Sequence, residues 1–298
     1  MANDLGTANA TLVAQKALEQ LVSDYPIFSQ IATDFSAEGV NLNQTIIAKI
    51  PTVGALQDYS EENGYVANDI TTDEVSVTMS EFKHASFAIN DKEFSEGGAL
   101  VLGNYATSLA NVIVEGVFAD IAALFVSGNY SGVTTVAEAD ANRATVIGGA
   151  NAALSNRKVS KNRFGLFSPD LMATLWADTT FVSLDTGGVT INGLTFDLPT
   201  VHGVAINEVA SSDLPAGLDG IIGAKDSLLI ATRTPSEAGF DGLPVPGRIS
   251  VVTEPRSGLS IQVREFYDIQ KGRRQVTYAL IWGVAVGRGA SAQRIVLS

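Results

Sequence analysis

Two stretches of strict alternation, separated by a polar segment too long for a tight turn, limit what this chain can become more than any other feature. From Val40 to Ile50 and from Glu74 to Ile89 the side chains repeat with period two, most visibly where Val75, Val77 and Met79 alternate with Ser76, Thr78 and Ser80. That is the pattern of a strand with one covered face. Between them, Gln57 to Asp73 carries Asp58, Glu61, Glu62, Asn63, Gly64, Asn68 and Asp69, which predicts a long hairpin with a polar tip. Two strands joined by such a loop are marginal alone in water. Something else must cover them.

Around the hairpin the periodicity is helical. Ala10 to Val22 sets Leu12, Val13, Ala17, Leu18, Leu21 and Val22 on one stripe, ended by Asp24, Tyr25 and Pro26, and reads as a short amphipathic arm that needs an apolar surface, its own domain or a neighbour's, to lie on. Asn90 with Glu93 three residues later has the form of a capping box. It opens a helical pattern through Phe94, Leu100, Tyr105, Leu109, Val112, Ile113, Val117, Ile121, Leu124 and Phe125 that stops at Gly128. If continuous, this helix is roughly 50 Å long, with Gly97, Gly98 and Gly103 as weak points in its first turns.

Downstream, a helix rich in alanine and glycine is predicted over Asn142 to Asn156, and Ser168, Pro169 and Asp170 supply an N-cap, an N1 proline and a first-turn acid for another. Phe181 to Arg248 is turn-rich, with short apolar runs at Gly220 to Ile222 and Leu228 to Ala231, and reads as mixed α/β. The last fifty residues alternate again. Ile249 to Thr253, Leu259 to Asp268 and Arg274 to Val286 form a predicted antiparallel meander, whose face of Val276, Tyr278, Leu280, Trp282, Val284 and Val286 the long helix could cover.

Composition narrows function. The 298 residues include no cysteine and only two histidines, His84 and His202, which removes disulfides and thiolate metal sites and argues against a zinc or non-haem iron centre. The charged fraction is 17% against 46% hydrophobic, where ordinary soluble domains have about 25% charged residues. Either the fold is unusually compact or other subunits cover much of each surface. A net charge of −13 argues against tight nucleic-acid binding, because that affinity comes from Lys and Arg displacing counterions. No signal peptide is legible, so the chain is expected in the cytoplasm where it is made. Gly97 to Val114 is uncharged, but its three glycines and two asparagines do not suit a membrane span.

Enzymatic signatures are largely missing. The P-loop, G-x-S-x-G and H-E-x-x-H patterns are absent. Gly287 to Ala292 fits the loose dinucleotide fingerprint, but only six residues follow it, too few for the helix and strand a pyrophosphate site needs. His84 reads as a surface strand residue. The acidic group at Asp58, Glu61 and Glu62 has its glycine one place too late for an EF-hand and reads as a solvated tip. Arg256, Arg264, Lys271, Arg273 and Arg274 concentrate positive charge near the meander, either to meet acidic patches on neighbouring subunits or as a solvated face of weak salt bridges.

In this order, the elements resemble the major capsid proteins of tailed bacteriophages, which share the Hong Kong 97-type fold with herpesvirus capsid floors and encapsulin compartments. The resemblance runs through nearly the whole chain. It is carried by the arm, by the hairpin at Gly39 to Ile89 with Ile46-Ile-Ala-Lys-Ile-Pro51 and Val75-Ser-Val-Thr-Met79, and by the helix opening at Ile89-Asn-Asp-Lys-Glu93. Gly165-Leu-Phe-Ser-Pro169, Pro246-Gly247 and the ending Gly283-Val-Ala-Val-Gly287 with Arg294 and Ile295 complete it.

The resemblance implies an α+β fold with an N-terminal arm at 1–38, an extended-loop hairpin at 39–89, a peripheral domain from the spine helix at 90–130 and the strands at 247–298, and an axial domain at 131–246. It implies a shell subunit and no catalysis, metal or cofactor. The partner is the chain itself, as hexamers and pentamers enclosing DNA, with scaffolding, portal and decoration proteins as further candidates and no membrane. The location implied is a virion capsid assembled in host cytoplasm. Candidate subunit contacts are Leu12 and Leu18 on the arm, Ile46, Ile50, Val75 and Val77 on the hairpin strands, Asp58, Glu61 and Glu62 at its tip, and Arg256, Arg273 and Arg274. Some members carry a scaffolding segment ahead of the arm, so a chain starting almost at the arm is expected to be processed or to use a separate scaffold. Some cross-link a hairpin lysine to a neighbour, for which Lys49 is a candidate by position alone. The rival readings are an encapsulin-like compartment and, from another class, a mixed α/β hydrolase or binding module.

Overall fold

The long helix begins where the capping box places it. In the computed structural model, the Asn90 side chain accepts from the Glu93 backbone N–H at 2.8 Å, while the Glu93 carboxylate accepts from the Asn90 N–H at 3.1 Å. The structure describes residues 27–40, 42–51, 72–142, 144–177, 200–201, 203–236, 247–253 and 258–298, together with tip positions 56, 58, 59, 61, 62, 64 and 65 (position 143 excepted). The predicted arm, with Leu12 and Leu18, and Arg256 lie outside the described residues.

In chain order, the elements are α1 (Ile27–Gln30), β1 (Ala32–Val40), β2 (Thr45–Pro51), β3 (Thr72–Thr78), β4 (Glu81–Asn90) and the long helix α2 (Asp91–Ala122). There follow β5 (Val133–Val136), a π turn at Ala144–Gly148 leading into α3 (Gly149–Asn156), β6 (Arg163–Phe167) and α4 (Pro169–Ala177). The chain closes with β7 (Thr200–Val201), β8 (Val204–Glu208), β9 (Gly220–Ala224), β10 (Leu228–Pro235), β11 (Arg248–Thr253), β12 (Ser260–Asp268), β13 (Arg273–Val286) and β14 (Ala292–Leu297). Helix α2 has 32 residues and runs unbroken through Gly97, Gly98 and Gly103. Three glycines cost about 1 kcal/mol each in a helix interior, which a capped N-terminus and the burial of the C-terminal half offset. Among the described residues no helix is long and apolar enough to cross a membrane.

Among the described residues the strands form two six-stranded sheets and one two-stranded ribbon. The first sheet runs β1-β10-β13-β12-β11, with β4 also paired to β13. The predicted meander is present as β11-β12-β13, antiparallel throughout. The second sheet runs β5-β14-β9-β6-β8-β7, with α3 and α4 packed on one side through Ile147, Ala150, Leu154, Leu171 and Leu175. Its other side contributes Phe164, Leu166 and Ile221 to the main core. There they meet α2 (Val114, Val117, Phe118, Ile121), α1 (Ile27, Phe28) and the β13 face of Val276, Tyr278, Leu280 and Trp282. One half of the long helix therefore serves both sheets.

One sequence expectation is corrected. Glu74 to Ile89 is not one strand: the backbone bends at Met79 and Ser80, where the Ser80 N–H donates to the Thr78 carbonyl at 2.9 Å. Before the bend β3 pairs with β2, and after it β4 pairs with β13. Gly283 makes the bend possible, because a Cβ there would collide with the Thr78 carbonyl. Both sheets draw strands from the segment 131–246 and from the segment 247–298. β10 joins the first sheet beside β13, and β14 leaves the meander to lie between β5 and β9 in the second. The reason is length: β13 extends past its β12 partner, and residues 281–286 need β10 to satisfy their backbone. The glycine turn from Gly287 that matched the dinucleotide fingerprint contains only a 3-10 turn at Gly289–Ser291.

Buried polar groups pin the remaining joints. Arg163 in β6 is buried, and its guanidinium is met by the Ser160, Asn151 and Val159 carbonyls and the Asn151 and Ser155 side chains. Of these acceptors, Ser155 lies in the last turn of α3 and the Val159 and Ser160 carbonyls just beyond it. Burial and the nearby Arg157 charge pull the Arg163 pKa down. The Trp282 indole N–H donates to Asp120 of α2 at 2.8 Å, with the Lys83 ammonium 5.1 Å from the ring centre. Burial works against the charge of Lys83, but its contacts with Glu81 and Asp120 outweigh burial and leave its pKa raised.

Candidate functional site

The hairpin β2–β3 is the part of the chain that its own body serves least. Its seven paired positions run from Thr45 opposite Thr78 to Pro51 opposite Thr72, so the ribbon extends away from the bend at Met79. At the root, Val77 and Met79 are buried against Ala231 and Ile281, with Ile46 packed alongside. Backbone bonds between Asn43, Gln44 and Met79 close that end. Further out the cover ends. Ile47 is 55% exposed, Leu56 99% and Tyr65 94%. Tyr59 and Tyr65 face each other with ring centres 5.0 Å apart, and the salt bridge of Lys49 with Glu74 at 3.3 Å lies in solvent. Such an exposed pair contributes little stability.

The predicted contact residues divide between the two ends. Asp58, Glu61 and Glu62 are exposed at the tip. Ile46 and Val75 are half-buried, and Ile50 pairs with Asp73 in the ribbon. Val77, proposed as a subunit contact, is only 3% exposed. Its own sheet already uses it, because strand alternation turns Val77 onto Ile281 while Ile47 points the other way. The arginines have partners within the chain. Arg274 binds Glu265 at 2.5 Å, and Arg273 lies 3.7 Å from Asp268. Both pairs join strands of the same subunit, across β12 and β13.

On the face of the first sheet opposite α2, Phe82 and His84 of β4, Thr277 of β13 and Arg264 and Phe266 of β12 line an open trough. Sequence reading missed it, although a signal was present. Phe82, His84 and Ser86, like Arg264 and Phe266, stand two apart, so in strands each set shares a face. Only the register of three strands shows that these faces coincide. Among the described residues no three His, Asp or Glu side chains group where they could hold a metal ion.

No protein-family model and no curated protein matches the chain. Solved structures do match it over nearly its whole length. The capsid of Ralstonia phage GP4 is similar with a TM-score of 0.59 at 8% identity, over 89% of this chain and 86% of that one. The capsid of cyanophage P-SCSP1u is similar at 0.56 and 12% identity, over 90% and 86%. This chain has the Hong Kong 97-type capsid fold. The virus-like particle from Pyrococcus furiosus shares the fold, with a TM-score of 0.53 at 11% identity over 96% of this chain and 97% of that one. Within this fold, α2 stands at the place of the long helix and the β2–β3 ribbon at that of the extended loop.

Proposed function

We propose that this chain is the major capsid protein of a tailed phage, a structural subunit with no catalytic role that assembles into hexamers and pentamers of an icosahedral shell around DNA. One observation carries the reading: a ribbon projects from a shell-forming fold with Ile47, Leu56, Tyr59 and Tyr65 exposed. A two-stranded ribbon with apolar side chains in water is marginal, and exposed apolar groups of this kind mark interaction surfaces. Another copy of the chain completes it. Many weak contacts of this kind, repeated by symmetry, sum to a stable closed shell. α2 and the first sheet form the peripheral domain, while the second sheet with α3 and α4 forms the axial domain that meets its symmetry mates. Ile46, Ile50, Val75, Val77, Asp58, Glu61 and Glu62 are the hairpin residues assigned to subunit contact, with Leu12, Leu18, Arg256, Arg273 and Arg274. The acidic chain encloses nucleic acid without gripping it. Scaffolding, portal and decoration proteins are its partners in the virion, and assembly takes place in the host cytoplasm.

Negative-stain microscopy and light scattering of the purified protein test this directly. Rings or shells are expected, and a small discrete species at every concentration refutes the reading. Deleting Leu56 to Asp69 is expected to leave a folded subunit that no longer assembles. The second reading is an encapsulin-like compartment for protein cargo, which the resemblance to this fold also allows. The contents separate the two: nucleic acid in particles from the native source for a capsid, a cargo protein for a compartment.

A further inference from the structure

Among the described elements, the chain crosses between the two six-stranded sheets three times: from α2 to β5, from β9 to β10 and from β13 to β14. All three crossings meet at one place. The last two form a single antiparallel pair that runs through both sheets, since β10 lies against β13 in the first and β9 against β14 in the second. Its register breaks once. Between Leu228 opposite Val286 and Gly223 opposite Ala292, four residues on one strand stand against five on the other. Both strands make a 3-10 turn there, at Lys225–Ser227 and at Gly289–Ser291. An extra residue on one strand bends such a pair and raises its twist.

Side chains tie the two turns together. The Ser291 hydroxyl donates to Asp226 Oδ2 at 3.1 Å, and the Arg288 guanidinium lies 3.7 Å from the same oxygen. On the first-sheet side the backbone still pairs, with Gly287 N–H donating to the Ser227 carbonyl at 3.0 Å and Arg288 N–H to the Asp226 carbonyl at 2.8 Å. The third crossing is fastened to the same residues, because the buried Tyr130 phenol donates to the Ser227 carbonyl at 2.8 Å. The strands pass so closely that a Cβ on Gly287 would strike the Asp226 carbonyl and one on Gly289 the Asn129 carbonyl. We infer that this junction is a joint about which the two sheets turn, that Asp226 is the strap holding its angle, and that this angle sets the curvature of the shell. Ladder bonds stiffen the pair on either side, whereas the Asp226 contacts span the break. The core shared by both sheets, where Phe164, Leu166 and Ile221 meet α2, keeps the turn small. Identical chains that build both pentamers and hexamers need more than one shape, and a joint in the strands common to both sheets supplies it without unfolding either core. The inference rests on the shell-subunit reading and names the place where one chain takes up different shapes.

Distance measurement in the full-length protein tests it. Cysteine is absent, so spin labels can be placed at Ala152→Cys on α3 and Gln270→Cys in the β12–β13 turn, both exposed, where they report the angle between the sheets. In the unassembled subunit, Asp226→Ala with Ser291→Ala is expected to broaden or shift the label distance. The fold is expected to persist, because the partly exposed Asp226–Arg288 pair contributes little stability. Asp226→Asn, which keeps an acceptor for Ser291, is expected to act in the same direction to a smaller degree. Electron microscopy of assembled particles is expected to show more than one diameter for the double variant and a single diameter for the unaltered chain. Gly289→Ala, which presses a methyl on the Asn129 carbonyl, is expected to move the label distance as a whole. An unchanged label distance in the double variant, or particles of unchanged diameter from it, overturns the proposal. If the unaltered chain forms no particles, the shell reading fails and the curvature role with it. Particles of normal size from every variant leave the shell reading standing and sink only the joint.

Discussion

β13 and the β2–β3 ribbon are both alternating strands, and they end in opposite surroundings. In β13, Val276, Tyr278, Leu280 and Trp282 are buried beneath α2, and burial together with the Glu265 charge pushes the Tyr278 phenol above its usual range. In the ribbon, Ile47 and the tip tyrosines stay exposed, and only the root, at Val77 and Met79, finds cover. The difference comes from neighbours. β13 has β4, β12 and β10 beside it and a helix over it, whereas β2 and β3 have only each other. An alternating pattern thus specifies that one face needs cover without naming what supplies it.

This contrast breaks most sharply at Trp282. Trp282→Ala removes a fully buried ring and the donor to Asp120, and is expected to cost about 3–5 kcal/mol, read by urea unfolding of the unassembled subunit. The junction of the two regions comes next. Gly283→Ala forces a methyl against the Thr78 carbonyl where β3 turns into β4, and a loss of about 1–3 kcal/mol is expected, accompanied by faster proteolysis of the hairpin. Asn90→Ala removes the cap of α2 but leaves the packed face intact, for about 1 kcal/mol, visible as a lower melting temperature. At the other extreme, Ile47→Ser is expected to change subunit stability by less than about 0.5 kcal/mol, because its own chain barely covers that side chain, while weakening assembly measured by light scattering. A large stability loss for Ile47→Ser shows that the ribbon is part of the monomer core and removes the contrast.

Much of the fold was legible in local pattern. The capping box at Asn90, the N-cap at Ser168 and the meander from Ile249 all lie where residue types demand them, because caps, turns and alternation depend on neighbours within a few positions. The site was legible only in part. Exposure of Asp58, Glu61 and Glu62 followed from polarity. The pairing of Arg273 with Asp268 and of Arg274 with Glu265 was not legible, since it runs across a register that spacing alone does not reveal.

The sequence by itself determined the helices that open after Asn90 and Ser168, the alternation of the closing strands, and that a hairpin with an acidic tip joins β2 and β3. Those properties live in the periods 3.6 and 2 and in the chemistry of caps and turns. Tertiary structure alone decided that the alternation breaks at Met79, that β10 and β14 exchange sheets, and that Phe82, Arg264 and Phe266 share one open face. Strand pairing joins residues as far apart as Phe82 and Ile281, and such pairings are chosen by the packing of the whole core, which no local window contains.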